Sequence, residues 1–262
     1  MKKFLTARVA RISAVLGAAF LLAVPAAAAA DRYVALGDSF SSGVGTGSYA
    51  LSSSCKRGVY AYPYLLSQQR AGTSLVFVAC SGAKTSDLMA NQISSVDSAT
   101  TLVTVTIGGN DIGFADLIYQ CTVADCSAAL DSTRSSLESV LGPRLDAVYG
   151  AIKGRAMGAK IVVLGYPRMF NGSSCLGAFG ISATERTKAN QLADALDQTI
   201  GTHASTAGVT YKSALSSFST HAVCSSSPWL NGLNLFNTGE SYHPNKSGHS
   251  LGYLPLVRAV TG

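Results

Sequence analysis

The sequence has 262 residues, of which 47% are hydrophobic and only 13% are charged, which excludes a disordered chain of low hydrophobicity. Its formal net charge of +6 is concentrated at the start, because the first thirty residues contain four basic and no acidic residues. The rest of the chain carries a balance of about +2, too little to indicate an ordinary nucleic-acid binder.

The first thirty residues have the pattern of a secretory signal peptide. A basic start is followed by an apolar run from Ile12 to Val24 and by the small residues Ala28, Ala29 and Ala30. A membrane anchor is the alternative, but a spanning helix needs about 20 apolar residues and this run is nearer 13. We therefore expect cleavage after Ala30, export without a stable membrane anchor, and one compact domain over residues 31–262.

Short β-branched or aromatic runs alternate with helical patterns along the rest of the chain. The predicted strands are Arg32 to Leu36, Leu75 to Ala79, Leu102 to Ile107, Lys160 to Leu164 and a weaker Val209 to Tyr211. Four of these five runs are almost continuously apolar, which is typical of strands buried in a parallel sheet. The alternation predicts a three-layer α/β/α sandwich around a parallel sheet of about five strands, with the ligand site at the carboxyl ends of the strands.

Four stretches between and after the strands show helical spacing, namely Pro63 to Arg70, Ala128 to Ala156, Thr184 to Ala204 and Ser247 to Val260. The second is predicted to split or kink at Gly142 and Pro143. The third is predicted to begin with a capping box formed by Ser182 and Glu185. Pro255 interrupts the last of them.

Six cysteines in an exported chain favour three disulfides over a zinc site, and no CxxC spacing indicates a metal. Six cysteines allow 15 pairings. The order of the loops along the predicted sheet favours pairing in sequence, as Cys55 with Cys80, Cys121 with Cys126, and Cys175 with Cys224.

Three loops at the carboxyl edge of the predicted sheet carry groups suited to acyl transfer. Ser39 follows the first strand within Gly37-Asp38-Ser39, Gly82 follows the second, and Asn110 follows the third. Each segment alone is equally typical of a tight turn. Together they place a hydroxyl nucleophile beside backbone and amide donors, as stabilisation of an oxyanion requires.

A serine nucleophile needs a base, and the sequence offers His203, His221, His243 and His249. The first two are predicted surface residues, and His249 lies on the last predicted helix and is the weaker candidate. His243 is favoured, because Pro244 after it keeps the backbone out of helical geometry and in an extended loop.

These blocks, GDSF, SGA, GGND and SYHP in that order, resemble the SGNH hydrolases, also called the GDSL lipase/esterase family, from Asp31 to the end of the chain. The resemblance implies Ser39 as nucleophile, Gly82, Asn110 and the Ser39 N–H as oxyanion donors, and His243 as general base. Within the family the chain is most similar to secreted bacterial lipases and phospholipases, with six paired cysteines, a GYPR segment at Gly165 to Arg168 and a PWL segment at Pro228 to Leu230.

One position departs from the family pattern, since the Asp that usually lies three residues before the histidine is Glu240 here. Two groups are therefore candidates to orient His243, the Glu240 carboxylate and the backbone carbonyl of Ser241. Either would accept the Nδ1 proton and fix the tautomer. We favour the carbonyl, because Pro244 and the short loop constrain the backbone while a Glu side chain would need ordering.

The sequence thus predicts a secreted serine ester hydrolase that acts through an acyl-enzyme, with no metal and no organic cofactor. Asp38 and Asp111 are expected to stabilise turns. A lipid or phospholipid acyl ester is the favoured substrate, with transient contact between a monomeric enzyme and lipid aggregates. Apolar residues near the site loops support this choice, although core packing would also explain them: Phe40, Val44, Ile112, Phe114, Trp229 and Leu230. The alternatives are a carbohydrate acetyl-esterase and a catalytically dead secreted binding protein.

Overall fold

The computed structural model describes Met1 and residues 31–262. The predicted signal peptide, apart from Met1, lies outside these residues, so the division at residue 30 stays a prediction. Among the described residues, no helix has the length and apolar character needed to cross a membrane.

A parallel sheet of five strands forms the centre of the protein, in the order β2-β1-β3-β4-β5. The strands are β1 Arg32–Gly37, β2 Ser74–Phe77, β3 Leu102–Thr106, β4 Lys160–Leu164 and β5 Thr210–Lys212. The middle strands β1 and β3 are almost wholly buried, which explains their continuous apolar sequences. The predicted parallel sheet is confirmed, with every strand end within two residues of the one expected.

Residues 31–262 contain seven α-helices: α1 Ser39–Ser42, α2 Tyr62–Gln69, α3 Thr85–Asn91, α4 Phe114–Gln120, α5 Ser127–Arg155, α6 Ala183–Thr206 and α7 Leu254–Thr261. Right-handed crossovers in this strand order place α3, α5 and α6 on one face and α2 on the other. The packing agrees, since α5 contacts both α3 and α6 while α7 packs on α2. Both faces are therefore covered, and the carboxyl edge of the sheet is left to loops.

Two helical predictions need correction and one is confirmed. Helix α5 is not split at Gly142 and Pro143: it is one continuous helix, with Leu141 and Leu145 buried on either side of the proline, and a kink there stays a prediction. The last helix is not one α-helix interrupted by Pro255. A π-helical segment over Gly248–Tyr253 leads into α7, and Pro255 lies in the first turn of α7. The capping box of α6 is confirmed, with Ser182 and Glu185 each bonded to the other's backbone N–H.

Three disulfides connect the loops, and no cysteine among the described residues is free. They join Cys55 to Cys80, Cys121 to Cys126, and Cys175 to Cys224. Two of them stabilise loops at the carboxyl edge of the sheet. Cys80 lies just after β2, and Cys224 ties the chain beyond β5 to the loop after β4.

Candidate active site

The turn after β1 positions Ser39 at the carboxyl edge of the sheet. Gly37 ends the strand with φ +125°, and a Cβ there would lie 2.4 Å from the backbone oxygen of Thr106, so only glycine fits. Asp38 then caps α1, which begins at Ser39. Since Ser39 is the first residue of this helix, its N–H has no partner within the helix.

Asp38 stabilises the turn through a buried network of hydrogen bonds. Its Oδ1 accepts bonds from the backbone N–H of Phe40 at 3.0 Å and from the Thr106 hydroxyl at 2.9 Å, and its Oδ2 accepts from the Tyr166 hydroxyl. Burial raises the pKa of Asp38 to about 6, against the opposing effect of these hydrogen bonds. The role of Asp38 in stabilising the turn agrees with the expectation from sequence.

Gly82 and Asn110 lie across the pocket from this turn. Gly82 has φ +81° and no atom lies within 4 Å of where a Cβ would be, so its backbone faces open space. The side-chain Nδ2 of Asn110 donates to the backbone oxygen of Ala83 at 3.0 Å. An amide nitrogen carries two hydrogens, so this bond orients the group and leaves the second N–H for a ligand.

His243 lies between a hydroxyl and a carbonyl. Its Nε2 is 2.9 Å from Ser39 Oγ, and its Nδ1 is 2.8 Å from the backbone oxygen of Ser241. A carbonyl oxygen can only accept, so Nδ1 carries the proton and Nε2 is free to accept one from Ser39. Burial and then the charge of Lys56 lower the pKa of His243 to about 4, against the bond to Ser241. The imidazole is therefore neutral at neutral pH and can act as a base.

The loop that carries His243 is fixed by its backbone. Tyr242 has φ 59°, in the left-handed region, and its N–H donates to the backbone oxygen of Asn231 at 3.1 Å. The Asn231 N–H donates back to the oxygen of His243 at 2.9 Å. Leu230 and Pro244 form an antiparallel bridge beside this pair. The segment beginning with Pro228 thus supports the histidine, a role that sequence reasoning did not assign to it.

Glu240 is not hydrogen-bonded to His243. Its Oε1 accepts a bond from the Tyr49 hydroxyl at 2.6 Å, and that hydroxyl in turn accepts from the N–H of Gly45 at 3.2 Å. Of the two candidates to orient His243, the structure brings the Ser241 carbonyl to the ring and turns the Glu240 carboxylate toward another loop.

None of the other three histidines is hydrogen-bonded to Ser39. His203 joins α6 to α5 through Glu138 and Asp146 and is more enclosed than the predicted surface position. His221 stacks on Trp229 with ring centroids 3.7 Å apart. His249 is fully buried, where its Nδ1 accepts from the Tyr62 N–H.

Most of the apolar residues expected near the substrate belong to the core. Phe40, Val44, Phe114 and Leu230 are at most 2% exposed, because the same loops that shape the site also close the end of the sheet. Ile112 and Trp229 are only partly buried and pack against the core. Sequence reasoning missed the apolar side chains that are exposed on neighbouring loops: Leu176, Phe179, Leu235 and Phe236.

Ser39, Gly82, Asn110, Ser241 and His243 line one open cavity of about 520 Å³. Its other walls come from α4 and from the loop before His243, which includes Thr238 and Gly239. The described residues group potential metal ligands at one place, Cys121, Cys126 and Glu185. Both sulfurs there are bonded to each other, and the carboxylate accepts from two backbone N–H groups, so this group does not suit a metal.

Comparison with known proteins shows the same architecture. The model of the GDSL-like lipase/acylhydrolase family matches residues 35–251. Lipase 1 of Streptomyces coelicolor is 42% identical over 98% of this chain and 97% of its own length. The crystal structure of an extracellular lipase from Streptomyces rimosus matches with a TM-score of 0.83 and 43% identity, over 88% of this chain and 99% of that one. A phospholipase A1 from Streptomyces albidoflavus matches with a TM-score of 0.84 and 42% identity over the same shares.

Proposed function

Because the chain belongs to the GDSL-like lipase/acylhydrolase family and is a carboxylic ester hydrolase, we propose that it hydrolyses lipid acyl esters through an acyl-enzyme on Ser39. The observation that carries this proposal is the position of His243. Its ring joins Ser39 Oγ on one side to the Ser241 carbonyl on the other, at 2.9 and 2.8 Å. This arrangement prepares a hydroxyl nucleophile without a carboxylate third member.

In the first half-reaction, Ser39 Oγ attacks the ester carbonyl as its proton passes to His243 Nε2. The negative charge on the carbonyl oxygen is stabilised by the N–H groups of Ser39 and Gly82 and by the free N–H of Asn110. The Ser241 carbonyl, already bonded to Nδ1, stabilises the imidazolium. His243 then gives its proton to the leaving alcohol, and a water molecule activated by the same ring releases the acid.

A lipid substrate is supported by exposed apolar side chains on two loops that pack against the histidine loop. Leu235 is 76% exposed and Phe236 is fully exposed, and both lie only a few residues before His243. Leu176 and Phe179 lie on a second loop, and Gly177 between them accepts a bond from the Leu233 N–H. Large apolar side chains exposed on neighbouring loops are typical of surfaces that contact lipid or protein. We expect transient binding to lipid aggregates at this position.

Export is supported by independent features. The three disulfides form in oxidising compartments, the first thirty residues have the pattern of a signal peptide, and the similar Streptomyces rimosus protein is an extracellular lipase. We therefore place the mature enzyme, residues 31–262, outside the cell.

The proposed mechanism is tested with Ser39→Ala and a chromogenic ester. We expect a folded protein without measurable turnover, while Ser42→Ala, one turn along the same helix, retains activity because its hydroxyl does not reach His243. Comparison of acetyl, medium and long acyl esters then tests the substrate class. A preference for acetyl esters alone would favour a carbohydrate acetyl-esterase, and no hydrolysis of any ester would favour a binding protein.

A further inference from the structure

The cavity is lined by two lysines that the proposed mechanism does not use, Lys56 and Lys84. Lys56 lines the same cavity as Ser39 and His243, although it lies in the loop between α1 and α2. Its ammonium makes neither a salt bridge nor a hydrogen bond with any residue that the structure describes. Two carboxylates also line the cavity: Asp111 is paired with Arg144 and bonded to Thr85, and Asp116 lies on α4.

The backbone of Lys56 is fixed beside the oxyanion donors. The preceding residue, Cys55, is bonded to Cys80 at the end of β2, and the Cys55 oxygen accepts from the N–H of Ser81 at 3.0 Å. Lys56 itself has φ 49°, a left-handed conformation that is costly for a residue with a Cβ and is found where the surroundings impose it. The loop is thus tied to the segment that carries Gly82.

The side chain of Lys56 extends from this loop to the opposite wall of the cavity. Its Nζ lies so close to Gly239 that a Cβ added there would be 2.9 Å away. Gly239 belongs to the segment before His243, so the ammonium lies across the cavity between the Gly82 and His243 segments. The ammonium therefore shares one cavity with any ester that binds at Ser39.

We infer that Lys56 binds the phosphate of a glycerophospholipid while Ser39 attacks the neighbouring acyl ester. This inference rests on the proposed function, and it names the substrate class that the cavity favours. A lysine ammonium is a common point-charge partner for phosphate, and charge-assisted hydrogen bonds of this kind are about twice as strong as neutral ones. In a glycerophospholipid only a few bonds separate the phosphate from the acyl esters, so both groups fit in a cavity of about 520 Å³.

The test is the ratio of kcat/KM on two soluble substrates, a short-chain phosphatidylcholine and the diacylglycerol with the same acyl chains, both used as monomers. Lys56→Gln removes the charge with little change of length. We expect the phospholipid-to-diacylglycerol ratio to fall about tenfold or more, which corresponds to about 1.4 kcal/mol. Lys56→Arg should retain most of the ratio, because it retains the charge.

Two further variants separate recognition from folding and from net charge. Lys56→Asn also removes the ammonium, and asparagine tolerates the left-handed backbone, so this variant should fold well. We expect it to lower the phospholipid-to-diacylglycerol ratio as Lys56→Gln does. Lys212→Gln loses the same charge on β5, away from the cavity, and should leave the ratio unchanged. Inorganic phosphate should inhibit diacylglycerol hydrolysis by the unmodified enzyme more strongly than by Lys56→Gln.

A ratio that is unchanged in both Lys56→Gln and Lys56→Asn would overturn the phosphate assignment, as would an equal loss on both substrates. Failure of the proposed function gives a different result. In that case the unmodified enzyme hydrolyses neither substrate, or Ser39→Ala hydrolyses both as fast as the unmodified enzyme.

Discussion

Replacing Glu240 with Gln tests which group orients the catalytic histidine. The substitution keeps the volume of the side chain and removes only its charge. In the structure this carboxylate accepts from the Tyr49 hydroxyl at 2.6 Å, while His243 Nδ1 donates to the Ser241 carbonyl at 2.8 Å. The Gln amide oxygen can still accept from Tyr49, and the backbone at Ser241 is unchanged. We therefore expect an effect on stability rather than on catalysis.

The expected magnitudes follow from these contacts. A hydrogen bond to a charged group contributes about 1.5–3 kcal/mol to stability and a neutral one about 0.5–1.5 kcal/mol. Glu240→Gln should therefore lower the free energy of unfolding by about 1 kcal/mol. For a domain of this size that lowers Tm by about 2–4 °C. kcat/KM should stay within about tenfold, or about 1.4 kcal/mol of barrier. If the Glu240 carboxylate oriented His243 instead, we would expect kcat to fall by about 10⁴, as it does for the comparable Asp-to-Asn change in a serine-protease triad.

The assay is kcat/KM on a soluble ester from about pH 5 to 8, with folding followed by circular dichroism. Tyr49→Phe is the matched control, because it removes the hydrogen bond that Glu240→Gln only weakens, together with the bond from the Gly45 N–H, and it cannot alter the histidine tautomer. The two variants and their double mutant should form a non-additive cycle in Tm. A loss of more than about a thousandfold in a folded Glu240→Gln protein would refute the reasoning and make Glu240 the third member of a triad.

Three other predictions follow from the site and the loops. Asn110→Ala should lower kcat by about 10²–10³ with little change in KM, because its free N–H bonds the oxyanion; a rise in KM alone would make Asn110 a binding residue. Since the pKa of His243 is lowered to about 4 and only the neutral ring accepts a proton, kcat/KM should stay level from neutral pH to about pH 5 and fall as the pH drops through about 4. A pH profile that falls already near 6.5 would contradict this. Replacing Cys175 and Cys224 with Ser should destabilise the protein by about 2–4 kcal/mol in a denaturant titration, and an unchanged midpoint would show that this disulfide does not stabilise the fold.

The sheet could be predicted from the sequence because burial on both faces leaves a continuous apolar run in each middle strand. The short helices α1, α3 and α4 were not predicted, since four to seven residues are too few to show an amphipathic period. Helix α5 was expected to break or kink at Pro143, yet it runs on without a break. Burial of the leucines around the proline outweighs the loss of one backbone hydrogen bond.

The residues that line the site could be named from four short segments, because the carboxyl ends of parallel strands meet at one edge. Their surroundings could not. Whether Phe40 faces a substrate or the core depends on a rotation of about half a turn around the helix axis, and the pattern of a few residues does not predict that rotation. The partner of Glu240 was equally hidden, since Tyr49 is 191 residues away in the chain.

The buried network around Asp38 explains why segments outside the four blocks matter to the site. Tyr166, from the segment after β4, donates to Asp38 and also accepts from the Gly109 N–H, so one hydroxyl connects the serine turn with the turn that carries Asn110. Asp38 is fully buried and its pKa is raised to about 6, so the carboxylate is costly to hold there. A structural turn would not require a buried carboxylate. The buried carboxylate lowers stability, but it fixes the position of the nucleophile Ser39 relative to the oxyanion donor Asn110. The proposed reaction requires that fixed position.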